Sequence, residues 1–335
     1  MTKIVVTGGA GFIGSHLSRR LSELGHSVVV YDDFSNPTGV SNLTKNIKIV
    51  KGDILDYDKL RRAIKGAEVV FHLAVKALPM SFTKPREVVR VNDEGSYLAC
   101  KACHSNNVQK MIYVSSSEVY GTAKYFPMNE EHPLLPTTIY AASKAAGEMY
   151  AQSFYRQNNL PVVIVRPFNS YGPYMRQDGY AAVIPRFVSR SLTGLPPIIF
   201  GDGKQTRDFT YVDDTVDGMV LALEKDVPFG LPINLARGIE VSVNDMAWRI
   251  IKTCNEILDR KNELYPIHEE PRQADVRRHL ADVSLAQKHL GFRPKVNVEE
   301  GIIKYIKWHI SRYSSKALRH IAKPLLDKAP AKVRR

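Results

Sequence analysis

The chain has 335 residues, 44% hydrophobic and 24% charged, which is typical of a folded globular protein and excludes wholesale disorder or a fibrous repeat. Three cysteines are too few for a disulfide framework, and no apolar run is long enough for a membrane-spanning helix. The first residues, MTKIVVTGG, predict a strand rather than a signal peptide, so we expect a cytoplasmic protein.

The net charge of +13 would suit a nucleic-acid-binding protein, but its distribution argues against one. Eight of the 47 basic residues lie after residue 310, against one acid, so the first 310 residues carry only +6. That modest excess suits an anionic small molecule. The sequence has neither zinc-finger spacing nor an RNA-binding aromatic signature, and we expect no nucleic-acid partner.

Short apolar runs alternate with helical patterns through the first half of the chain, which indicates βαβ units around a parallel sheet. The predicted strands are Lys3–Thr7, Ser27–Tyr31, Ile47–Lys51, Val69–Leu73, Lys110–Ser115 and Val162–Arg166, with a first helix at Ile13–Leu24. After Pro167, proline and glycine cluster and the rhythm loosens. We predict an α/β fold with a doubly wound parallel sheet in residues 1–166, interleaved with later segments. A smaller mixed α/β substrate lobe covers most of 167–310, and a basic tail covers 311–335.

A glycine-rich turn, TGGAGFIG, follows the first strand directly and opens the first helix. Gly8 permits a tight turn, Gly11 lets the backbone approach a pyrophosphate, and Gly14 lets helix and strand pack closely. Asp32 ends the second strand, where a carboxylate holds the adenosine ribose, and Asp33 beside it would repel a 2′-phosphate. This arrangement predicts a Rossmann domain that binds NAD in preference to NADP.

Further motifs extend the pattern over nearly the whole chain. They are Asp53-Ile54, His72-Leu73-Ala74, Asn92, Arg166-Pro167-Phe168-Asn169-Ser170-Tyr171-Gly172-Pro173, the run from Gly201 to Phe209, and Ala281-Asp282-Val283. With the glycine turn they make the chain resemble the extended short-chain dehydrogenase/reductase family of nucleotide-sugar epimerases and dehydratases. The resemblance implies that NAD is held by Gly8, Gly11, Phe12, Ile13, Gly14, Asp32, Asp33, Asp53, Ile54, Leu73, Ala74, Asn92, Ser115, Tyr140 and Lys144.

Tyr140 and Lys144 are four positions apart, so on a helix they share one face. A free phenol is a poor base at neutral pH, and we expect the nearby ammonium, together with the positive nicotinamide ring, to lower the pKa of Tyr140. By resemblance, Tyr140 is the base, Lys144 tunes it and holds the nicotinamide ribose, and Ser116 hydrogen-bonds the substrate oxygen.

These parts predict an NAD-dependent nucleoside-diphosphate-sugar 4-epimerase that acts through a transient 4-keto sugar, on a UDP-hexose or its N-acetyl or uronic derivative. Glu118 leaves an alternative open. In the family's dehydratases an Asp-Glu pair follows the catalytic hydroxyl, whereas here Ser117 precedes Glu118, as in UDP-glucuronate decarboxylases. Glu118 is therefore either catalytic, in a decarboxylase or dehydratase, or structural. A non-catalytic NAD-binding regulatory protein is an alternative of another class.

The resemblance also assigns the substrate lobe. Asn169, Arg207 and Arg277 would contact the two phosphates, Phe200 would stack on the base, and Ser81, Ser116 and Ser117 would face the sugar. Lys76 stands where the family has small or neutral residues, and it could meet a carboxylate or a phosphate or face solvent.

Other signals point to no further chemistry. Cys100 and Cys103 form a C-x-x-C inside a helical stretch and are interpreted as buried helix residues, and we predict no metal site. His72 is expected to be a packed histidine. The tail pattern allows weak contact with an anionic membrane, although packing on the protein itself explains it as well. The family's usual assembly suggests a homodimer.

Overall fold

Strands and helices alternate along the first half of the chain, as the hydrophobic pattern predicts. The structure is a computed structural model that describes residues 1–177, 182–261, 263–271 and 276–313. The strands are β1 (Lys3–Thr7), β2 (Ser27–Asp32), β3 (Lys48–Lys51), β4 (Val69–His72), β5 (Lys110–Val114), β6 (Val162–Pro167), β7 (Ser170–Tyr171), β8 (Ile198–Phe200), β9 (Thr206–Asp208), β10 (Thr210–Tyr211), β11 (Pro232–Leu235), β12 (Glu240–Ser242) and β13 (Ile267–Glu269). The helices are α1 (Phe12–Glu23), α2 (Tyr57–Ile64), α3 (Pro85–Val88), α4 (Gly95–Ser105), α5 (Ile139–Asn158), α6 (Val183–Leu192), α7 (Val212–Glu224), α8 (Val243–Leu258), α9 (Ser284–Leu290) and α10 (Val298–Arg312). Each predicted strand is present within one residue of its expected ends.

In the described part of the chain, the central sheet has seven parallel strands in the order β11-β6-β5-β4-β1-β2-β3. The chain order reverses between β1 and β4, so the loops that follow these two strands diverge and leave a crevice at the carboxyl edge of the sheet. Ligands of open α/β sheets bind in such a crevice.

The central strands are Val/Ile runs because helices cover both faces of the sheet. Ile4 and Val6 of β1 belong to one buried cluster, and Val5 between them belongs to another. The second strand repeats this alternation. Both faces of the sheet are thus closed, and its carboxyl edge is left for ligand contact.

Segments from the second half of the chain complete the central sheet and the helices that cover it. Strand β11 pairs with β6, and α7 packs against α1. In the described part of the chain, three two-stranded sheets lie outside the central one and pair β7 with β10, β9 with β12 and β8 with β13. Two of the predicted substrate residues lie on them, Phe200 on β8 and Arg207 on β9.

The two edge strands of the central sheet are β11 and β3, and in β3 the residues Lys48, Ile49 and Lys51 are exposed. At the other end of the chain, Ser311 and Arg312 belong to the last turn of α10, and the rest of the predicted basic tail, from residue 314, lies outside the described residues. Over the described ranges, no helix has the length and apolar character needed to cross a membrane.

Candidate active site

The glycine turn between β1 and α1 has the tight geometry that its sequence predicts. Gly8 has φ +71°, and a Cβ there would lie 2.7 Å from the backbone of Ala74. A Cβ on Gly14 would lie 2.2 Å from the carbonyl oxygen of Gly8, so helix and turn are in direct contact. At Gly11 a Cβ would meet only that same carbonyl oxygen, at 3.3 Å, which leaves its other side open. Phe12 and Ile13 begin α1 with its amino end at this turn.

The two carboxylates at the end of β2 have different surroundings. The Asp32 side chain is buried and accepts hydrogen bonds from the amides of Ala10 at 2.9 Å and Phe34 at 2.8 Å. Burial raises its pKa. Asp33 is exposed, and its carboxylate accepts a hydrogen bond at 3.1 Å from the ammonium of Lys76, which is itself buried. Of the roles left open for Lys76, the structure therefore shows contact with a carboxylate.

The other predicted cofactor residues follow β3 and β4. Asp53 is exposed, whereas Ile54 is buried and packs against Gly95. Leu73 and Ala74 lie against the glycine turn. The carboxamide of Asn92 bonds the backbone of Lys76 at 2.7 and 3.1 Å, and the hydroxyl of Ser143 at 3.0 Å. Asn92 therefore ties the loop after β4 to α5, which is a structural role.

His72 at the end of β4 is fully buried, and both ring nitrogens are bonded, one to the Thr7 hydroxyl at 2.8 Å and the other to the Ser96 hydroxyl at 3.3 Å. Burial lowers the pKa of His72 to about 3. The expectation of a packed, satisfied histidine is confirmed.

Strand β5 delivers four polar residues to the carboxyl edge of the sheet. Ser116 caps a 3₁₀ turn, Ser117–Tyr120, and its hydroxyl accepts the amide of Glu118 at 3.2 Å. Ser115 and Ser117 are buried, whereas Ser116 and Glu118 are partly exposed. The two residues that the sequence makes candidates for catalysis are thus the two of these four that are partly exposed.

Helix α5 places Tyr140 in its first turn and Lys144 one turn later on the same face. The helix begins there because the hydroxyl of Thr138 accepts the amide of Ala141 at 3.1 Å. The ammonium of Lys144 donates to the carbonyl of Val114 at 2.6 Å and lies 4.6 Å from the centre of the Tyr113 ring. These contacts hold Lys144 against the end of β5.

The protein's own groups do not make the phenol acidic. Burial raises the pKa of Tyr140 to about 12; a hydrogen bond with Ser116 opposes that rise, and the charge of Glu118 adds to it. Burial lowers the pKa of Lys144 to about 7, against the effect of Glu148. Lys144 is not among the groups that shift the pKa of Tyr140, and burial is the largest cause of the shift for each side chain. The lowering expected from the ammonium together with the nicotinamide ring stays a prediction. Glu118 and Ser116 are instead the groups that act on the phenol.

These residues fit a dinucleotide. The hydroxyl of Ser115 is buried, and no described residue lies within hydrogen-bond distance of its oxygen. A buried hydroxyl without a partner is costly unless a ligand completes it. The open side of Gly11 and the amino end of α1 suit a pyrophosphate, and the end of β2 suits a ribose.

A cleft of about 1040 Å³ lies beside the paired strands β8 and β13, and Phe200, Asp202 and Arg277 are among its lining residues. The guanidinium of Arg186 lies 5.7 Å from the centre of the Phe200 ring. Arg277 forms a fork with Asp202, at 2.7 and 2.9 Å. The predicted base-stacking ring and one predicted phosphate contact therefore share a cleft.

The other predicted substrate residues differ in whether their polar atoms already have hydrogen-bond partners within the described part of the protein. Arg207 donates to the main-chain oxygens of Thr206 and Val276, at 2.8 and 2.6 Å. The side-chain nitrogen Nδ2 of Asn169 is buried without a hydrogen-bond partner among the described residues. Ser81 donates to the carbonyl of Leu78 at 2.5 Å. Asn169 is thus the predicted contact with an unused donor.

One segment joins the cleft to the catalytic turn. Arg277 faces Asp202 in the cleft, and two residues later His279 hydrogen-bonds the carbonyl of Gly121 at 3.3 Å. The amide of Met128 donates to Leu280 at 2.8 Å. The segment 277–280, which contributes Arg277 to the cleft, therefore also contacts the loop after the Ser116 turn.

Sequence reasoning missed two parts of the site. Strand β13 supplies His268 and Glu269 to the cleft, and only its pairing with β8 reveals it. The buried pair of Glu148 and Arg166 lies behind the catalytic residues. The E in KAAGE, four positions after Lys144, was the available signal for it. Cys100 and Cys103 are buried thiols on α4, as predicted, and the described residues contain no cluster of three or more His, Cys, Asp or Glu able to hold a metal.

Comparisons with known proteins agree with this geometry. The model of the NAD dependent epimerase/dehydratase family matches residues 4–236. A UDP-glucose 4-epimerase of Mycolicibacterium smegmatis is 36% identical over 91% of this chain and 98% of its own length. A human dTDP-D-glucose 4,6-dehydratase is 34% identical over 92% of this chain and 89% of its own length.

A solved structure is similar over the same range. The UDP-glucuronic acid 4-epimerase from Bacillus cereus, in complex with UDP-glucuronic acid and NAD, has a TM-score of 0.84 and 31% identity, covering 93% of this chain and 100% of that one. These proteins are enzymes, and the alternative of a non-catalytic binding protein is set aside.

Proposed function

Because the chain belongs to the NAD-dependent epimerase/dehydratase family, we propose that it is a nucleoside-diphosphate-sugar 4-epimerase acting on a UDP-hexose or on its N-acetyl or uronic derivative. Membership makes it an NAD-dependent enzyme of nucleotide-sugar conversion. The observation that carries the proposal is the convergence of Ser116, Tyr140 and Lys144 at the carboxyl edge of β5, where the glycine turn of the same sheet also opens.

In this proposal the chain holds and polarises the sugar. Bound NAD supplies reversible oxidation of an alcohol carbon. Tyr140 accepts the proton of the C4 hydroxyl, and Ser116 hydrogen-bonds the same oxygen. Lys144 lies one turn from Tyr140, where a positive charge favours the phenolate. The 4-keto sugar would then turn so that C4 presents its opposite face to the nicotinamide; the hydride that C4 gave up would return to that face, and Tyr140 would return the proton to the C4 oxygen.

The NAD and nucleotide contacts follow the sequence assignments. The glycine turn would hold the pyrophosphate of NAD, Asp32 and Asp33 the adenosine ribose, and Ser115 the nicotinamide end. In the second lobe, Phe200 would stack on the base and Arg277 and Arg207 would meet the diphosphate. The unused donor of Asn169 supports its role in binding an anionic oxygen.

Glu118 favours a second candidate, a UDP-glucuronate decarboxylase or a nucleoside-diphosphate-sugar dehydratase. Its charge raises the pKa of Tyr140, which indicates that the carboxylate lies near the catalytic phenol. A carboxylate there could act on the carbon next to a 4-ketone. The neighbouring Ser117, buried and non-acidic, removes the second carboxyl group of a dehydratase and weakens that reaction within the pair.

One assay separates these reactions. The enzyme is incubated with UDP-glucose, UDP-N-acetylglucosamine and UDP-glucuronate, and the products are identified by NMR. Inversion at C4 is expected; a pentose with CO₂ would indicate a decarboxylase, and a 4-keto-6-deoxy or unsaturated sugar a dehydratase. E118Q should retain most epimerase turnover but lose about 100-fold or more if Glu118 moves a proton. E256Q, on the exposed face of α8, is the matched control. Absence of turnover with all three sugars would overturn the proposal.

We also propose that the protein is a homodimer that assembles through α4 and α5. Tyr97 is 40% exposed and Met149 is 55% exposed on these adjacent helices. A groove of about 460 Å³ runs beside them, lined in part by Val89, Tyr97 and Tyr150. Exposed apolar side chains gathered on two helices are typical of a subunit interface.

A cytoplasmic location is part of the proposal, supported by three buried cysteines that remain thiols. Weak membrane-surface contact through the tail is a further part, and it rests on the charge and apolar pattern of its sequence. Co-sedimentation with anionic vesicles, with and without residues 312–335, tests it. Equal sedimentation of the two chains would contradict it.

A further inference from the structure

A buried ion pair lies directly behind the catalytic residues and takes no part in the reaction proposed above. Glu148 is 1% exposed and Arg166 is 2% exposed. The guanidinium Nε of Arg166 donates to one carboxylate oxygen at 3.1 Å, and its Nη2 donates to the other. Burial of two charges is expensive, and a well-packed apolar pair is often at least as stable. Stability alone therefore gives no reason for this pair.

The pair joins separate parts of the active site. Glu148 lies on α5 one turn beyond Lys144 and two turns beyond Tyr140, so all three share a helix face. Arg166 lies on β6, and its Nη1 donates to the Tyr120 hydroxyl at 2.8 Å. Tyr120 closes the 3₁₀ turn that Ser116 caps. One guanidinium thus spans from the helix of Tyr140 to the turn of Ser116.

Further contacts fix the orientation of this guanidinium. Nη1 also donates to the carbonyl of Glu130 at 3.1 Å, and the guanidinium carbon lies 4.8 Å from the centre of the Tyr120 ring. Tyr120 in turn donates to the side chain of Asn234 on β11 at 2.6 Å. A planar fork with this many partners sets an angle as well as a distance, which an ammonium cannot do.

We propose that Glu148 and Arg166 are positioning residues. They fix the position and orientation of the Ser116 turn relative to α5, so that Ser116 and Tyr140 can both hydrogen-bond the same substrate oxygen. This inference rests on the proposed reaction at Ser116 and Tyr140. Small displacements of reacting groups cost rate rather than binding, so the pair acts on turnover.

The carboxylate of Glu148 also acts on Lys144. It favours the ammonium form, against the burial that lowers the pKa of Lys144 to about 7. The other titratable groups that face Lys144 are His72 on β4, Tyr113 on β5 and Tyr140 on its own helix, with Cys100 of α4 behind Tyr113. Glu148 is the acidic residue whose charge raises the pKa of Lys144. Its removal should make Lys144 lose its proton at lower pH.

Three variants test the proposal. E148Q keeps the shape and one acceptor but removes the charge, R166K keeps the charge but loses the fork, and Y120F removes the hydroxyl contact. Each should lower kcat by about 10- to 100-fold with KM and the affinity for NAD nearly unchanged. In E148Q the alkaline limb of the kcat profile should move to lower pH. The same shift can be measured by NMR without turnover. The ¹³Cε signal of Lys144 is identified as the lysine signal that K144M lacks, and in E148Q this signal should titrate at lower pH than in the wild type.

A double variant, E148M/R166M, separates positioning from stability. It removes both buried charges, and we expect it to recover the melting temperature but not kcat. I250V, a core change on α8, shows how far a comparable loss of melting temperature alone affects kcat. The proposal is overturned if E148Q and Y120F keep wild-type kcat, or if the double variant recovers melting temperature and kcat together. An inactive wild-type enzyme would reject the proposed function instead, and the lysine titration would still decide the link between Glu148 and Lys144.

Discussion

Tyr140 and Lys144 show how burial changes the chemistry of a motif that the sequence presents as a simple charge pair. The Tyr-x-x-x-Lys spacing predicts an ammonium near a phenol, and both lie on one face of α5. Burial, however, penalises the charged form of each side chain. At the residue scale, the exclusion of water that favours the reaction also disfavours the charged forms of Tyr140 and Lys144.

The shifted pKa of Lys144 predicts how stability depends on pH. The folded protein releases this proton near pH 7, whereas the unfolded chain keeps it to about pH 10.5. Between these values the unfolded state binds more protons, so the free energy of unfolding should rise with pH. The melting temperature of the wild type relative to K144M should therefore increase from about pH 7 to about pH 9.5. A difference that stays constant over this range would contradict the shift.

The strand–turn–helix unit of β1 and α1 is the element on which cofactor binding depends. Its glycines have separate reasons, since Gly14 is enclosed by the turn's own backbone and Gly11 is open on one side. Gly11 has φ −78°, which alanine also adopts. The two positions therefore separate the fold of the turn from its ligand contact.

Two alanine substitutions test this separation. G14A places a methyl group against a carbonyl oxygen and should cost about 1–3 kcal/mol of folding free energy, measured by denaturant unfolding. G11A should leave unfolding nearly unchanged and weaken NAD binding by about tenfold or more, measured by titration calorimetry. If G11A lost stability as G14A does, or bound NAD like the wild type, the open side would not be the pyrophosphate contact.

At the scale of the whole molecule, the two adjacent helices α4 and α5 carry the proposed dimer contact. M149E places a charge among the exposed apolar residues and should shift the protein from dimer to monomer in light scattering. W248E is a matched control, because Trp248 is 46% exposed on α8, away from this surface. A monomeric wild type, or an M149E variant that still dimerises, would reject the interface.

Features that depend on residues close together in the chain could be predicted from the sequence, whereas features that depend on distant residues could not. Six of the seven strands of the central sheet and the glycine turn are local patterns, and these six strands are present within one residue of the expected ends, whereas β11 was not predicted. The Glu148–Arg166 pair, the partners of Arg207 and strand β13 depend on residues far apart in the chain. A spacing such as that of Glu148 to Lys144 marks a position but not its partner, because such contacts arise only when separate elements pack.

The margin formed by β3 has a consequence for behaviour at high concentration. Its unpaired backbone groups would offer a template for strand addition by another chain. Lys48 and Lys51 stand at the two ends of this short strand, so a second copy approaching edge to edge would bring like ammonium groups together. We therefore expect the charge at this edge to oppose strand addition by a second copy.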